Sequence, residues 1–446
     1  MKLWPFVFFI VLFWSVARFW NLDSVPPGFY ADESAGAAQT LCMSERGVDL
    51  DGQPYPLFFK GLSGGYTPTY IYPQILWTKI FGSSIGAFRA FSAVVSLLTF
   101  LLVGILAYGV GGLSYGSLAL LLGAISPWSF QFSRIAWDPP LMPLFMIGAL
   151  CLLFRRSLWT VVLAGICLSL AAYAYAGGKI ISPLLILLCY FFEAPRKLSK
   201  RETGLLAASF FIVSIPIFLA SLSGETLERY YLSIFARHPL WPFQIKSLAA
   251  IFKEIFTNLF AHFSPNFLFL YGDRNIRHSS GVGELSWVDL FAMMSLLALL
   301  IKKIPLNRWF AFLCTMLLVG VLPAAVTWDG IPHALRSIGA WPFWALFSGY
   351  ILWTASVRWK CILPITVSVA LFFSIFFMKN YFGSYPRYSE AWFDASIRND
   401  AETSAREKNW KPFLEKNVSY HWQSKVYYLM NLGGESCEKA IQLSHP

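Results

Sequence analysis

Four short stretches hold the ionisable side chains whose types suit chemistry. "PPGFYADESAGAAQTL" carries the adjacent carboxylates Asp32 and Glu33. "FSRIAWDPPLMP" carries Arg134 and Asp138, and "HFSPNFLFLYGDRNIRHSS" carries His262, Asp273, Arg274, Arg277 and His278. "WDGIPHALRSIGAWP" carries Asp329, His333 and Arg336, while Lys79 stands in "YIYPQILWTKIFG". A positioned carboxylate can take the proton of an attacking hydroxyl. Arginine meets phosphate with a bidentate fork, and lysine meets it as a point charge. The set therefore suits a substrate with an anionic head, handled beside a carboxylate base.

Each residue also has a plainer reading. Asp32 fits the N-cap of a helix starting near Glu33, where a carboxylate is favoured. Arg134, just outside an apolar run, fits an anchor to lipid headgroups. His262 and His278 match no standard metal-ligand spacing and fit a solvated loop, so no metal site is expected. The seven cysteines show no C-x-x-C and no disulfide framework. Cys151, Cys167, Cys189, Cys314 and Cys361 lie in or beside apolar runs, where a thiol acts as a small hydrophobe. Neither a phosphate-binding glycine loop nor a dinucleotide fingerprint is present, and no G-x-S-x-G or H-E-x-x-H marks a hydrolase or zinc protease.

The elements that must position these residues are membrane helices. Of 446 residues, 57% are hydrophobic and 13% charged, against about a quarter charged in a globular chain. The apolar runs are 3–20, 87–110, 114–130, 138–154, 158–175, 180–193, 205–221, 287–301, 309–326, 338–355 and 361–378. The first has no A-x-A-like cleavage site and reads as a retained helix. The sequence thus predicts an all-α polytopic membrane protein of about eleven transmembrane helices. With a cytoplasmic N-terminus, the inside holds Lys2, Arg155-Arg156, Arg196-Lys197-Lys200-Arg201, Lys302-Lys303-Arg308 and Arg358-Lys360. This positive-inside pattern accounts for most of the net charge of +11 and removes nucleic acid as a partner.

Everything long then falls outside: a first outer loop over 21–84, a large one over 223–286, and a short C-terminal tail over 379–446. Segments 33–46, 66–80 and 246–262 read as helices lying at the interface. In the last, Leu248, Phe252, Phe256 and Phe260 recur at helical spacing with Lys253 and Glu254 opposite. The module 1–378 is expected to carry the chemistry, with the active site and the C-terminus on the non-cytoplasmic face of a cell membrane.

The order of motifs resembles the GT-C superfamily of polyprenyl-phosphate-sugar-dependent glycosyltransferases. It is most similar to the family 39 type that includes protein O-mannosyltransferases and the lipid A aminoarabinose transferase. The likeness is carried by "NLDSVPPGFYADESAGAAQT", "GVDLDGQPYPLFFKG", the "FGSSIGAFRAF" helix start, "SRIAWDPPLMP" and "YAYAGGKIISPLLILL", and covers about residues 1 to 380. "FSPNFLFLYGDRNIRHS" and "PHALRSIGAWPFW" extend it. The resemblance implies a GT-C bundle that takes a sugar from a polyprenyl- or dolichyl-phosphate carrier in the membrane and inverts the anomeric centre. It implies Asp32 as base with Glu33 beside it. Arg134, Lys79 and Arg336 are the candidates for the leaving phosphate. Asp138, Arg274, Arg277 and His333 are the candidates for carrier, sugar or acceptor. No cofactor and no metal are expected. The tail is short beside relatives with a large C-terminal domain, so the acceptor (protein, lipid or glycan) does not carry over.

Two other classes compete. A transporter or flippase would place ionisable residues at the midplane of its helices and often show repeats, and neither is evident. A polysaccharide polymerase or ligase would use lipid-diphosphate donors and a large outer loop. The early Asp-Glu pair favours the transferase over this second class.

Overall fold

The structure is a computed structural model that describes residues 4–62, 65–155, 157–222, 233–234 and 247–445. Lys2, Arg156 and residues 223–232 and 235–246 of the large outer loop lie outside the described residues. Every apolar run of the sequence contains a helix, and among the described residues β-pairing is limited to isolated bridges. The stretch Ile85–Ile125 is two helices, because the backbone leaves helical geometry at Gly111 and Gly112. Gly104 and Gly116 then face each other closely enough that a Cβ on either would crowd the opposite helix. Among the described residues, four stretches are long and apolar enough to cross a membrane: Ile85–Ile125, Lys200–Ala220, Arg308–Ala325 and Ile362–Phe393. Trp4–Phe19, Leu141–Leu153, Leu158–Ala174, Gly178–Phe192 and Trp287–Ile301 are shorter apolar helices. The chain is a multi-pass membrane protein.

It divides into two compact units. The first comprises Met1–Ala17, Val95–Gln131 and Pro139–Lys379. Here Leu158–Ala174 packs on Leu141–Leu153, Gly178–Phe192 and Lys200–Leu222, and Arg308–Ala325 packs on Gly178–Phe192, Trp341–Arg358 and Leu248–Ala261. Trp14 is fully buried among Phe130, Phe373 and Phe377, and its indole N–H donates to Ser374 Oγ at 2.8 Å. That satisfies the one polar atom of a large buried ring. Phe8, Phe9, Leu219, Phe372 and Ile375 point outward and stay exposed, as suits a hydrocarbon solvent.

The second unit comprises Arg18–Val94, Phe132–Asp138 and Asn380–Pro446. Its core gathers Phe29, Phe88, Phe413, Tyr427, Tyr428 and Leu429 around the helix Ala31–Arg46. The run Ala35-Gly36-Ala37-Ala38 has little side-chain bulk, so the tail helix Trp422–Asn431 can lie along it. The tail thus shares one core with the start of the first outer loop. Gly28, at φ +72°, lies so close to the backbone of Phe393 and Ala395 that any side chain there would overlap it.

Cys42 and Cys437 form a disulfide, with Cα atoms 5.3 Å apart. This corrects the expectation that the cysteines form no disulfides. These are the two cysteines outside the apolar runs, and 395 positions of sequence separate them, so no spacing rule could pair them. Cross-linking a long loop removes freedom mainly from the unfolded chain. Replacing both by serine should lower the stability of this unit by about 2–4 kcal/mol. The tail should become the first site of limited proteolysis while the apolar helices resist.

Candidate functional site

Asp32 lies in the first turn of the helix Ala31–Arg46. It is not the N-cap: Tyr30 holds that position and makes no side-chain cap bond. Asp394 of the tail does part of that work, its Oδ2 accepting the Ala31 N–H at 3.0 Å and the Tyr420 hydroxyl at 2.8 Å. The Asp32 carboxylate is half-buried and accepts a 3.3 Å hydrogen bond from the Tyr30 hydroxyl. The positive end of the helix dipole favours its anion. Tyr66 donates to the Asp32 backbone carbonyl at 2.7 Å. Burial, and then the charges of Asp32 and Asp138, push the Tyr66 hydroxyl well above its usual range, so it stays a proton donor. Both carboxylates therefore act on one buried phenol. Asp138 is itself buried.

Glu33 has a different fate, since neighbours on a helix point about 100° apart. Its carboxylate is fully buried and takes both prongs of Arg89, Nε to Oε1 and Nη2 to Oε2, each at 2.9 Å. Oε1 also accepts the Ala136 N–H at 2.9 Å. The other donors of Arg89 go to the carbonyls of Leu22, Pro26 and Gly28. Arg134 likewise serves carbonyls, those of Arg18, Trp20, Asn21 and Val25, and lies over the Tyr381 and Phe382 rings. Burial lowers its pKa to about 10, which leaves it cationic at neutral pH. Its guanidinium is inside the loop it braces, which does not match the phosphate contact expected of it. Lys79 is exposed in the last turn of Pro68–Phe81 and forms no ion pair among the described residues.

The remaining candidates belong to the other unit. Arg274 is exposed, and Arg277 is half-buried with its carbonyl bonded to Gln131. Arg336 pairs with Asp329 Oδ1 at 2.5 Å and reaches Thr327 Oγ1 at 2.9 Å. Asp273 Oδ2 receives His278 Nδ1 at 3.0 Å and the Ala334 N–H at 2.7 Å, with His333 Nδ1 at 3.6 Å. His262 Nε2 accepts the His333 N–H at 2.9 Å, so its Nδ1 carries the hydrogen that meets Asn258 O at 2.7 Å. Burial pushes the Asp273 carboxyl up, but the His278 hydrogen bond and the nearby imidazoles outweigh it, and the net shift is downward. Burial also lowers His262 to about 4 and, with His278 and Arg336 adding to it, His333 to about 2. Glu284 is buried against the Asp273 N–H, and burial drives its carboxyl well up. Gly272, at φ +71°, is packed against Ser279 and Glu284 too closely for a side chain.

No family model and no curated protein matches the sequence. Solved structures do match in shape. The oligosaccharyltransferase of Archaeoglobus fulgidus, tethered with an acceptor peptide containing the NVT sequon, aligns at 15% identity over 96% of this chain and 59% of its own, with a TM-score of 0.51. Its apo form aligns at 16% identity over 94% and 60%, with a TM-score of 0.50. The fold is the GT-C fold. ArnT from Cupriavidus metallidurans, bound to undecaprenyl phosphate, aligns over 100% of this chain and 75% of its own at 12% identity and a TM-score of 0.48. The chain spans about three-fifths of the oligosaccharyltransferase structures.

Within this GT-C fold, sequence reasoning passed over Arg89, Tyr66, Asp394 and Glu284. Arg89 sits in an apolar helix at "AFRAF", where its charge alone was the available signal. A buried Arg in such a run needs a carboxylate partner, and that partner is Glu33, which the sequence had placed beside Asp32 at the catalytic centre. The geometry predicts opposite outcomes for two neighbouring isosteres. Glu33→Gln leaves Arg89 buried without its counter-charge and should cost about 3–5 kcal/mol. Asp32→Asn, which loses a helix-dipole contact but no buried ion pair, should cost no more than about 1 kcal/mol. Thermal or denaturant unfolding of the detergent-purified proteins measures both.

Proposed function

We propose that this chain is an integral membrane glycosyltransferase that moves a sugar from a polyprenyl- or dolichyl-phosphate carrier to an acceptor hydroxyl, with inversion. The observation that carries it is Asp32: a half-buried carboxylate in a first helical turn, held beside the Tyr30 hydroxyl and flanked by Glu33, which is locked to Arg89. The GT-C fold and the order of sequence motifs support the same reading.

Asp32 serves as the base that draws the proton from the acceptor as its oxygen attacks the anomeric carbon. The bond to the carrier phosphate breaks on the opposite face. That leaving group is already an anion, so it needs cations rather than a general acid. Lys79, in the unit that bears Asp32, is the candidate for that task, and Arg336, Arg274 and Arg277 are the candidates that the other unit holds for the phosphate and the carrier. Asp138 and His333 remain candidates for sugar or acceptor. Glu33 and Arg134 act as positioning residues, one fixing the helix that bears Asp32 and the other bracing the preceding loop.

The chemistry lies on the non-cytoplasmic face. The basic short loops support that orientation. So does the Cys42–Cys437 disulfide, because such bonds persist in oxidising compartments, and it joins the first outer loop to the tail. Donor assays with a polyprenyl-phosphate sugar and candidate acceptors test the proposal. Asp32→Asn should reduce kcat by about 10²–10⁴-fold. Unimpaired transfer by that variant would remove Asp32 from the base role.

A further inference from the structure

Three atoms able to ligate a metal converge in the first unit. Asp273 Oδ2, His278 Nδ1 and His333 Nδ1 all lie within 4.8 Å of one another. The side chains are 5%, 6% and 12% exposed. The His278 contact, at 3.0 Å, is an ordinary hydrogen bond. The His333 contact is not one. At 3.6 Å it is too long, and His333 Nδ1 also faces the Arg336 N–H at 3.5 Å, as an acceptor would. His333 Nδ1 and Asp273 Oδ2 thus face each other inside the protein without a hydrogen bond between them. A cation between them would be bonded by both.

From this geometry we propose that Asp273, His278 and His333 form a zinc site. Two imidazoles and a carboxylate are a donor set that zinc accepts. Bonds of about 2.0–2.1 Å in a tetrahedron place ligand atoms about 3.3 Å apart. The observed 3.0 and 3.6 Å separations bracket that value. The surrounding bonds orient the ligands as a metal site requires. Asp273 Oδ1 is held by the Asn275 N–H at 2.8 Å, and the Asp273 N–H is held by Glu284 Oε1 at 3.0 Å. The His333 backbone is fixed by His262, whose Nε2 is thereby occupied and whose place is outside the ligand set. The two ligand rings stack at 4.7 Å and 28°, and both Nδ1 atoms lie near Asp273 Oδ2. Water completes the fourth position. Zinc here ties the segment after the π-helical turn Asn266–Leu270 to the turn that leads into Ile338–Ala340. The site does not rest on the sugar-transfer reading, and it gives His333 a ligand's role in place of the sugar or acceptor contact.

The test uses the full chain, purified in detergent with a tag that contains no histidine, stripped with chelator and reloaded with Zn²⁺ alone. Metal analysis should return about one zinc per chain. Asp273→Asn and His333→Gln should each weaken retention at least about tenfold, while His421→Ala in the tail should keep it. Reloading with Co²⁺ should produce the intense visible bands of four-coordinate cobalt in the parent and not in His333→Gln. To separate ligand loss from misfolding, the parent is also melted with Zn²⁺ and with Mg²⁺, and only zinc should raise its Tm. Background zinc in the reloaded parent, or full occupancy in the Asp273→Asn/His333→Gln double variant, overturns the site.

Discussion

Arg89 is the group on which the second unit depends. Its side chain has no exposure, and a guanidinium is costly to take out of water unless every donor finds a partner. Here all of them do: two meet Glu33, and the rest meet the carbonyls of Leu22, Pro26 and Gly28. One residue therefore gathers the end of the first apolar helix, the proline turn and the start of Ala31–Arg46. Arg134 repeats the device on the carbonyls of Arg18, Trp20, Asn21 and Val25. The loop between those helices has little regular hydrogen bonding of its own, so two buried cations supply it. The net value of such pairs for stability is modest, but what they fix is conformation.

This division of labour explains why two adjacent acids coexist in a chain so poor in charge. On a helix, residues 32 and 33 cannot face the same way. Glu33 turns inward to neutralise Arg89, and Asp32 turns toward the half-exposed surface beside Tyr30. A carboxylate that must act as a base has to be held rigidly and yet reached by substrate. The first requirement is met by Glu33, by the tail through Asp394 and by the disulfide at Cys42. The second is met in the proposed role by the half-exposed position of Asp32.

Much of the fold was legible because hydrophobic length is a long-range signal that each segment carries alone. All the expected apolar helices appear within a few residues, and so do Ala31–Arg46, Pro68–Phe81 and Leu248–Ala261. The site was legible only in part. Residue type and order led to Asp32, but the roles of Glu33 and Arg134 depend on partners brought in by folding. An arginine that braces carbonyls and one that binds phosphate have the same sequence appearance. The pairings of Cys42 with Cys437 and of Ala31 with Asp394 cross almost the whole chain, and no local pattern announces them.

The histidines make the same point from the other direction. His262, His278 and His333 show no metal spacing in sequence, since spacing rules describe ligands borne on one helix or one turn. Here the outer loop and the turn near Ile331 each contribute, and the backbone does the aligning. His262 Nε2 receives the His333 amide and the Ala334 amide meets Asp273, so the imidazole is presented to the carboxylate by two main-chain bonds. In the proposed zinc site this ring and the Asp273 oxygen, 3.6 Å apart, are two of the ligands. Main-chain bonds of this kind are what orients a ligand before anything binds to it.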